Sequence, residues 1–338
     1  MSSWIADIVT AEGGRIPFDR FMELALYDPD HGYYTRNISG IGRSGDFSTA
    51  LTIGKTLARS IASWARAEAK ILRLPAIHII ELGGGSGALA IQILRQFPPW
   101  QRIDYQILEI SPKLHALQQT RIRSSKVAWR TSIEAALRAA DYEAILIANE
   151  FVDAFPCKRF ELTPEGWKEI FLRFDEPLWK EELVKFPLSG YPILVRPGWQ
   201  SGQRVELHTS YRGWFTNLGT HLRKGSVLTI DYGGTPTEIY GHKLGGTVRS
   251  YFRHERRENM EVYKQAGYQD ITADVNFDDL QDWGNQLRFE AVSYTTQAKF
   301  IRSWALSSAR RAEIADEFLI DESGMGGICK VLHQRKIG

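Results

Sequence analysis

"HIIELGGGSGALAIQIL", residues 78–94, decides the fold. An apolar run ends at Leu82, glycine takes four of the next five positions, and Ala88, Leu89 and Ile93 then follow at helical spacing. A short buried strand therefore feeds a helix through a glycine loop. Glycine permits the tight turn and lets a ligand approach the backbone. The first helical turn offers free N–H groups and the positive end of the helix dipole.

The alternation continues downstream. "IDYQILEI" (103–110) reads as a strand, and "SPKLHALQQTRI" (111–122) as a helix with Ser111 at its cap and Pro112 at its first position. "KVAWR" is a short strand, "SIEAALRAA" a helix and "EAILIAN" (143–149) a fourth strand. Strands alternating with helices predict βαβ units and a doubly wound parallel sheet, an α/β fold. Later, "SVLTIDYG" (226–233), "RFEAVSYTT" and "GGICKVLHQRK" read as strands, the last two as an antiparallel terminal pair. "FDDLQDWGNQL" and "TQAKFIRSWA" read as helices.

The remaining segments predict additions to this core. Residues 15–27 read as a helix capped by Asp19, and 52–73 as a second helix. "CKRFELTPEGWKEIFLRFD" (157–175) is two alternating runs around Pro164-Glu165-Gly166, a hairpin opening a β-rich excursion. Residues 234–275 read as glycine-rich and then charged and helical, with "RHERRE" (253–258) as a solvated helix face. The expected organisation is a helical N-terminal cover over 1–75 and a core over 76–338, with insertions at about 157–205 and 234–275.

Glu81 precedes the loop in the spacing E-x-G-x-G-x-G, with Gly83, Gly85 and Gly87. Glu109 ends the next strand, where an acid accepts both ribose hydroxyls of a nucleoside. "GGGSGA" also satisfies the dinucleotide pattern G-x-G-x-x-A, so an NAD-dependent oxidoreductase is the rival reading. An acid just before the loop repels a pyrophosphate. It suits a cation bearing an amine and a sulfonium, which S-adenosylmethionine (SAM) carries. The opposite candidates for chemistry lie in "LIANEFVDAFP" (146–156), where Asn149, Glu150 and Asp153 follow a buried strand among Phe151 and Phe155. Ligands of open α/β sheets sit at the carboxyl ends of strands. Asp153 or Asn149 as a helix cap is the plain alternative. His254 is a candidate general base in the charged insertion, and Asp231, ending another core strand, is either a structural partner or a site residue.

The whole composition is that of a globular protein: 338 residues, 43% hydrophobic, 24% charged, net charge +2. Without a concentrated basic run there is no case for nucleic acid. Two distant cysteines, Cys157 and Cys329, make neither a zinc site nor a disulfide framework, so no metal is expected. Neither a leader nor an apolar run of ~18 residues is evident, which predicts a soluble cytoplasmic chain.

Several segments together resemble the MidA-like family of SAM-dependent methyltransferases: "YDPDHGYYTR", "GDFST", "IIELGGGSGALAIQILR", "YQILEISPKLHALQ", "ANEFVDAFP", "LTIDYG", "DITADVNF" and "GMGGICKVL". Mitochondrial members of that family are complex I assembly-factor methyltransferases that modify an arginine. The resemblance implies a class I methyltransferase core, a Rossmann-like seven-stranded sheet with its last strand antiparallel, under a helical cover. It implies SAM at Glu81, Gly83, Gly85, Gly87 and Glu109, with Ile110, Ser132 and Ile133 toward the adenine and Tyr34, Asp46 and Phe47 toward the methionine end. It further implies a protein substrate and allows a homodimer. Residues 48–58 read "STALTIGKTLA" where the family has Ser-Pro-Glu and a nearby Gln. That departure motivates the other rival, an assembly or interaction protein that keeps the fold without turnover.

Overall fold

A computed structural model describes residues 3–38, 55–189, 191–196, 198–305, 317 and 319–338. The chain divides into two interleaved compact units. The larger takes residues 39–152, 212–233 and 277–338, the smaller 1–38, 153–211 and 234–276.

The larger unit is built on strands β1 (Ile77–Leu82), β2 (Ile103–Leu108), β3 (Val127–Arg130), β4 (Glu143–Asn149), β5 (Lys224–Gly234), β6 (Glu290–Thr296) and β7 (Cys329–Lys336). They run in the order β3-β2-β1-β4-β5-β7-β6. The first five are mutually parallel and β7 is antiparallel to both neighbours, as expected of a class I methyltransferase sheet. The order reverses between β1 and β4, which makes the carboxyl ends of these two strands the place for a ligand.

β1, β2 and β4 read as apolar runs because helices cover both faces of a parallel sheet. Ile79, Ile107, Ile145 and Ile147 join one core with Leu57, Ile61 and Trp64 of the helix Lys55–Ile71. That helix therefore groups with the sheet, so the expected N-terminal cover over 1–75 does not exist as a block. Its apolar face at i, i+3, i+4 and i+7 needs the sheet to bury it. Near its end, Glu68 is buried against β5 and β7 of the sheet. Arg335 donates to both carboxylate oxygens at 2.7 and 2.9 Å, Ser226 Oγ donates at 2.7 Å, and His333 Nε2 lies 3.1 Å away. Burial alone raises the pKa of this carboxyl, but His333, Arg335 and Ser226 together bring it down to about 2.

In the smaller unit the hairpin around Pro164-Glu165 is present, pairing Lys158–Thr163 with Gly166–Asp175. A further strand, Leu178–Val184, extends it, and Arg204–Leu207 flanks it. Two expectations are corrected here. Residues 16–17 form a strand pairing with Phe171 and Leu172, so the helix starts at Phe18 and Asp19 sits in its first turn rather than at its cap. The charged segment is not helical: Arg249–Phe252 and Glu255–Glu258 form an antiparallel hairpin. Its two turn residues, Arg253 and His254, both adopt positive φ (51° and 68°), the geometry that matches strand twist in a tight hairpin. The mixed charges pair along its second strand, Arg257 with Glu255 and Arg256 with Glu258.

Candidate active site

The glycine loop is fixed by conformation and by packing. Gly83, Gly85 and Gly87 adopt φ of +69°, +53° and +77°, where an L side chain is strained. A Cβ on Gly84 would stand 2.6 Å from Ile107 Cγ2. Gly83 N–H continues the ladder by donating to the Leu108 carbonyl at 2.9 Å, which ties the loop to the end of β2.

Two acids flank the loop. Glu81 is 2% exposed, and its carboxyl accepts a hydrogen bond from the Tyr105 hydroxyl at 2.9 Å. Burial pushes its pKa up to about 8; the Tyr105 hydrogen bond opposes this and the charge of Glu109 adds to it. Glu109 is also raised by burial, against the pull of its donors. These are Ser111 N–H at 2.9 Å, Gln118 Nε2 at 3.0 Å and Gly85 N–H at 3.2 Å.

Gln118 is a site residue that the sequence reading missed. Fully buried in its helix, it donates to the Gly85 carbonyl at 2.9 Å and accepts from Trp129 Nε1 at 2.9 Å, so it braces loop and acid together. The available signal was its place one turn after Leu114, on the same face of the helix. Ile110 is 64% exposed beside Glu109, an open apolar side chain at the end of β2. Ser132 and Ile133 are engaged locally: the Ser132 hydroxyl caps a helix by accepting from Ala135 N–H at 3.2 Å, and Ile133 is buried.

The turn after β4 lies beside this loop, since β4 pairs with β1 up to Leu82 and Ala148. Asn149 is the last residue of β4. Glu150 N–H donates to the Ile230 carbonyl at 2.8 Å, and Glu150 itself sits at φ +49°, a conformation that costs a non-glycine residue about 1–2 kcal/mol. The next two N–H groups, of Phe151 and Val152, both donate to Asp231 Oδ2, at 3.1 and 2.8 Å. Asp231 Oδ1 accepts from Tyr232 N–H at 2.9 Å. The Phe151 ring lies over the loop, its Cδ2 3.0 Å from where a Gly83 Cβ would be, and meets Trp214 edge-on at 5.4 Å between centroids.

Tyr34, Asp153 and His254 fall in the smaller unit. The Tyr34 hydroxyl donates to Asp270 Oδ1 at 2.8 Å, and its ring stacks on Tyr27 at 5.7 Å. Burial, then Asp270 and more weakly Asp153, push the Tyr34 hydroxyl well above its usual range. Asp153 is buried, and its carbonyl accepts from Ala273 N–H at 3.1 Å, which places "DITA" beside it. Phe155 packs edge-on against Tyr211 at 5.2 Å. His254 is exposed at the tip of the charged hairpin rather than on a helix, a surface position that gives it no enclosed general-base role. Asp46 and Phe47 lie outside the described residues.

With this geometry in hand, comparison with known proteins is decisive. Residues 56–295 match the family described as "Putative S-adenosyl-L-methionine-dependent methyltransferase". The chain belongs to this family. It is 27% identical over 332 residues to the mitochondrial protein arginine methyltransferase NDUFAF7 of Danio rerio, covering 87% of this chain and 74% of that protein. The Mus musculus protein of the same name is 24% identical over 366 residues, covering 96% and 79%. A solved superfamily member from Burkholderia thailandensis, bound to S-adenosyl-homocysteine, superposes with a TM-score of 0.88 at 24% identity, over 99% of this chain and 91% of that one. The fold is therefore that of a class I SAM-dependent methyltransferase, and the cofactor is SAM.

The residues present fit that cofactor. A buried acid with its pKa raised to about 8 calls for a cation, and Glu81 offers this at the end of the strand that leads into the glycine loop. Glu109 offers an acceptor at the end of β2, where the ribose of a nucleoside is held. When bound, SAM supplies an electrophilic methyl group on a sulfonium.

Proposed function

We propose that the chain methylates a guanidinium nitrogen of a protein arginine. The observation that carries this reading is the carboxylate-bearing turn Asn149-Glu150-Phe151, strained at Glu150 and fixed beside the glycine loop. A strained residue at the carboxyl end of a strand at the switch point is the kind of outlier that points to function. The naming of the Danio rerio and Mus musculus relatives as protein arginine methyltransferases supports the same acceptor.

In this reading each residue has a distinct task. Glu81 balances positive charge under the loop and Glu109 holds hydroxyl groups. Glu150 accepts hydrogen bonds from the guanidinium, localising charge on two nitrogens and leaving the third as nucleophile; paired N–H donors make this geometry specific to arginine. Asn149 orients the incoming group through its amide. Phe151 excludes water from the loop side.

The test is incubation of the purified chain with tritiated methyl-SAM and host-cell lysate, followed by acid hydrolysis of the labelled protein. Label in methylarginine supports the reading. Label on another residue overturns the acceptor. Binding of SAM with no label in any protein would instead favour an assembly or interaction protein without turnover.

A further inference from the structure

The turn after β4 has the shape of an anion-binding nest. Successive N–H groups following a left-handed residue point to one side, where they ordinarily take up an anion. Here the anion is built in. Asp231 Oδ2 accepts from Phe151 and Val152 N–H at 3.1 and 2.8 Å, and Oδ1 accepts from Tyr232 N–H at 2.9 Å. Asp231 is fully buried on β5, 81 positions along the chain from Glu150 and next to Ile230, whose carbonyl takes the Glu150 N–H at 2.8 Å. The strained residue is thus bracketed: one backbone bond before it and two carboxylate-accepted bonds after it, all from β5.

We infer that Asp231 is a positioning residue that holds Glu150 in its left-handed conformation and, through Phe151, holds the cofactor loop. The second half of the chain of contacts is the Phe151 ring, whose Cδ2 lies 3.0 Å from the position of a Gly83 Cβ. Releasing the two N–H groups lets the Glu150 backbone relax toward negative φ, which swings Phe151 away from Gly83. The inference rests on the proposed function for the use made of Glu150, but the clamp itself does not depend on the acceptor.

Three proteins test it: wild type, Asp231→Asn, and Glu150→Gly combined with Asp231→Asn. Asparagine keeps the volume but presents an amide N–H₂ or a single neutral acceptor to two donors. Glycine adopts φ near +49° without a clamp. The readouts are calorimetric binding of S-adenosyl-homocysteine and the amide signals of protein labelled with ¹⁵N-phenylalanine and ¹⁵N-valine. In wild type, the Phe151 and Val152 amides are expected downfield and slow to exchange with deuterium. In Asp231→Asn both signals move, and S-adenosyl-homocysteine binds about tenfold more weakly, the scale of one charge-assisted hydrogen bond. In the double variant binding returns to within about threefold of wild type.

Unprotected Phe151 and Val152 amides in wild type overturn the clamp, and this reading needs no variant to fold. Moved amides with unchanged S-adenosyl-homocysteine affinity overturn the link to the cofactor loop. Binding that is weakened in Asp231→Asn and stays equally weak in the double variant assigns Asp231 a general structural role and overturns the inference. Failure of wild type to bind S-adenosyl-homocysteine at all counts against the cofactor reading, and also against the link from Phe151 to the loop; protected amides would then leave only the clamp standing.

Discussion

The Tyr105 hydroxyl donates to the Glu81 carboxyl at 2.9 Å across the β1–β2 pair, so the one acid directly beneath the glycine loop is held by a neutral partner rather than a cation. Buried this way, its pKa stands at about 8 against an ordinary 4.5. In the cofactor-free protein it is mostly protonated at pH 7. A cationic cofactor favours the ionised form, so binding releases a proton. Affinity for SAM is therefore expected to rise from pH 6 to about 8 and then flatten. The Glu81→Gln variant binds more weakly and lacks this component, so the difference between the two calorimetric pH profiles isolates it. Identical slopes would refute the assignment. The sign for stability is opposite: a raised carboxyl penalises the ionised folded state, so cofactor-free protein loses stability as pH climbs from 4.5 through about 8, and Glu81→Gln does not.

Gly85 sits at φ +53° in the middle of the loop. A β-branched side chain there is strained by about 1–3 kcal/mol and also occupies the space along the backbone that a ligand needs. Gly85→Val is expected to abolish SAM binding in calorimetry while lowering the melting temperature by a few degrees, about what 1–2 kcal/mol does in a domain of this size. A normal dissociation constant in that variant would be incompatible with the site.

Gln118 links Glu109, the Gly85 carbonyl and Trp129. Gln118→Leu keeps the volume and removes every one of these bonds. Hydrogen bonds to charged groups are worth about 1.5–3 kcal/mol, so S-adenosyl-homocysteine affinity should fall roughly 10- to 100-fold. The same titration on Gln118→Glu, which sets a like charge against Glu109, is expected to show a larger loss.

Far from the cofactor, Glu68 is held at a pKa of about 2 by His333, Arg335 and Ser226. A depressed carboxyl contributes stability that is complete above 4.5 and is lost as pH falls toward 2. Removing the charge with Glu68→Gln leaves Arg335 without its partner, and breaking a buried pair in this way costs about 3–5 kcal/mol. Urea unfolding at pH 7 and at pH 3 checks both statements: the variant should lie well below wild type at pH 7 and the gap should narrow at pH 3.

The parallel sheet was legible in the sequence because apolar strands and capped helices signal themselves locally; Ser111-Pro112 needs no distant partner to be read. The geometry of the candidate residues Glu81, Gly83, Gly85, Gly87 and Glu109 was legible for the same reason, since one continuous strand–loop–helix segment and the next strand carry them. What stayed hidden depends on long separations. Gln118 becomes a site residue only when its helix packs its inner face under the loop, and Asp231 only when β5 lies next to β4. The hairpin at Arg249–Glu258 was read as a helix because its turn, Arg253-His254, lacks the Asn-Gly signature that normally announces positive φ. Its alternating charges suit a two-sided exposed ribbon as well as a helix surface.

The interleaving of the two units has a consequence for synthesis. Ile16 waits for Leu172 to complete its strand pair, and Tyr34 waits for Asp270 to accept its hydroxyl, 236 positions later. In the larger unit, β7 must insert between β5 and β6 from the last residues of the chain. The smaller unit lacks its last strands until Asn276 is made and the larger lacks β7 until Lys336 is made, so nascent chains carry unpaired strand edges through most of translation. Such a protein is a natural client for holding chaperones, and premature stop codons anywhere before β7 should yield aggregates rather than partial enzymes.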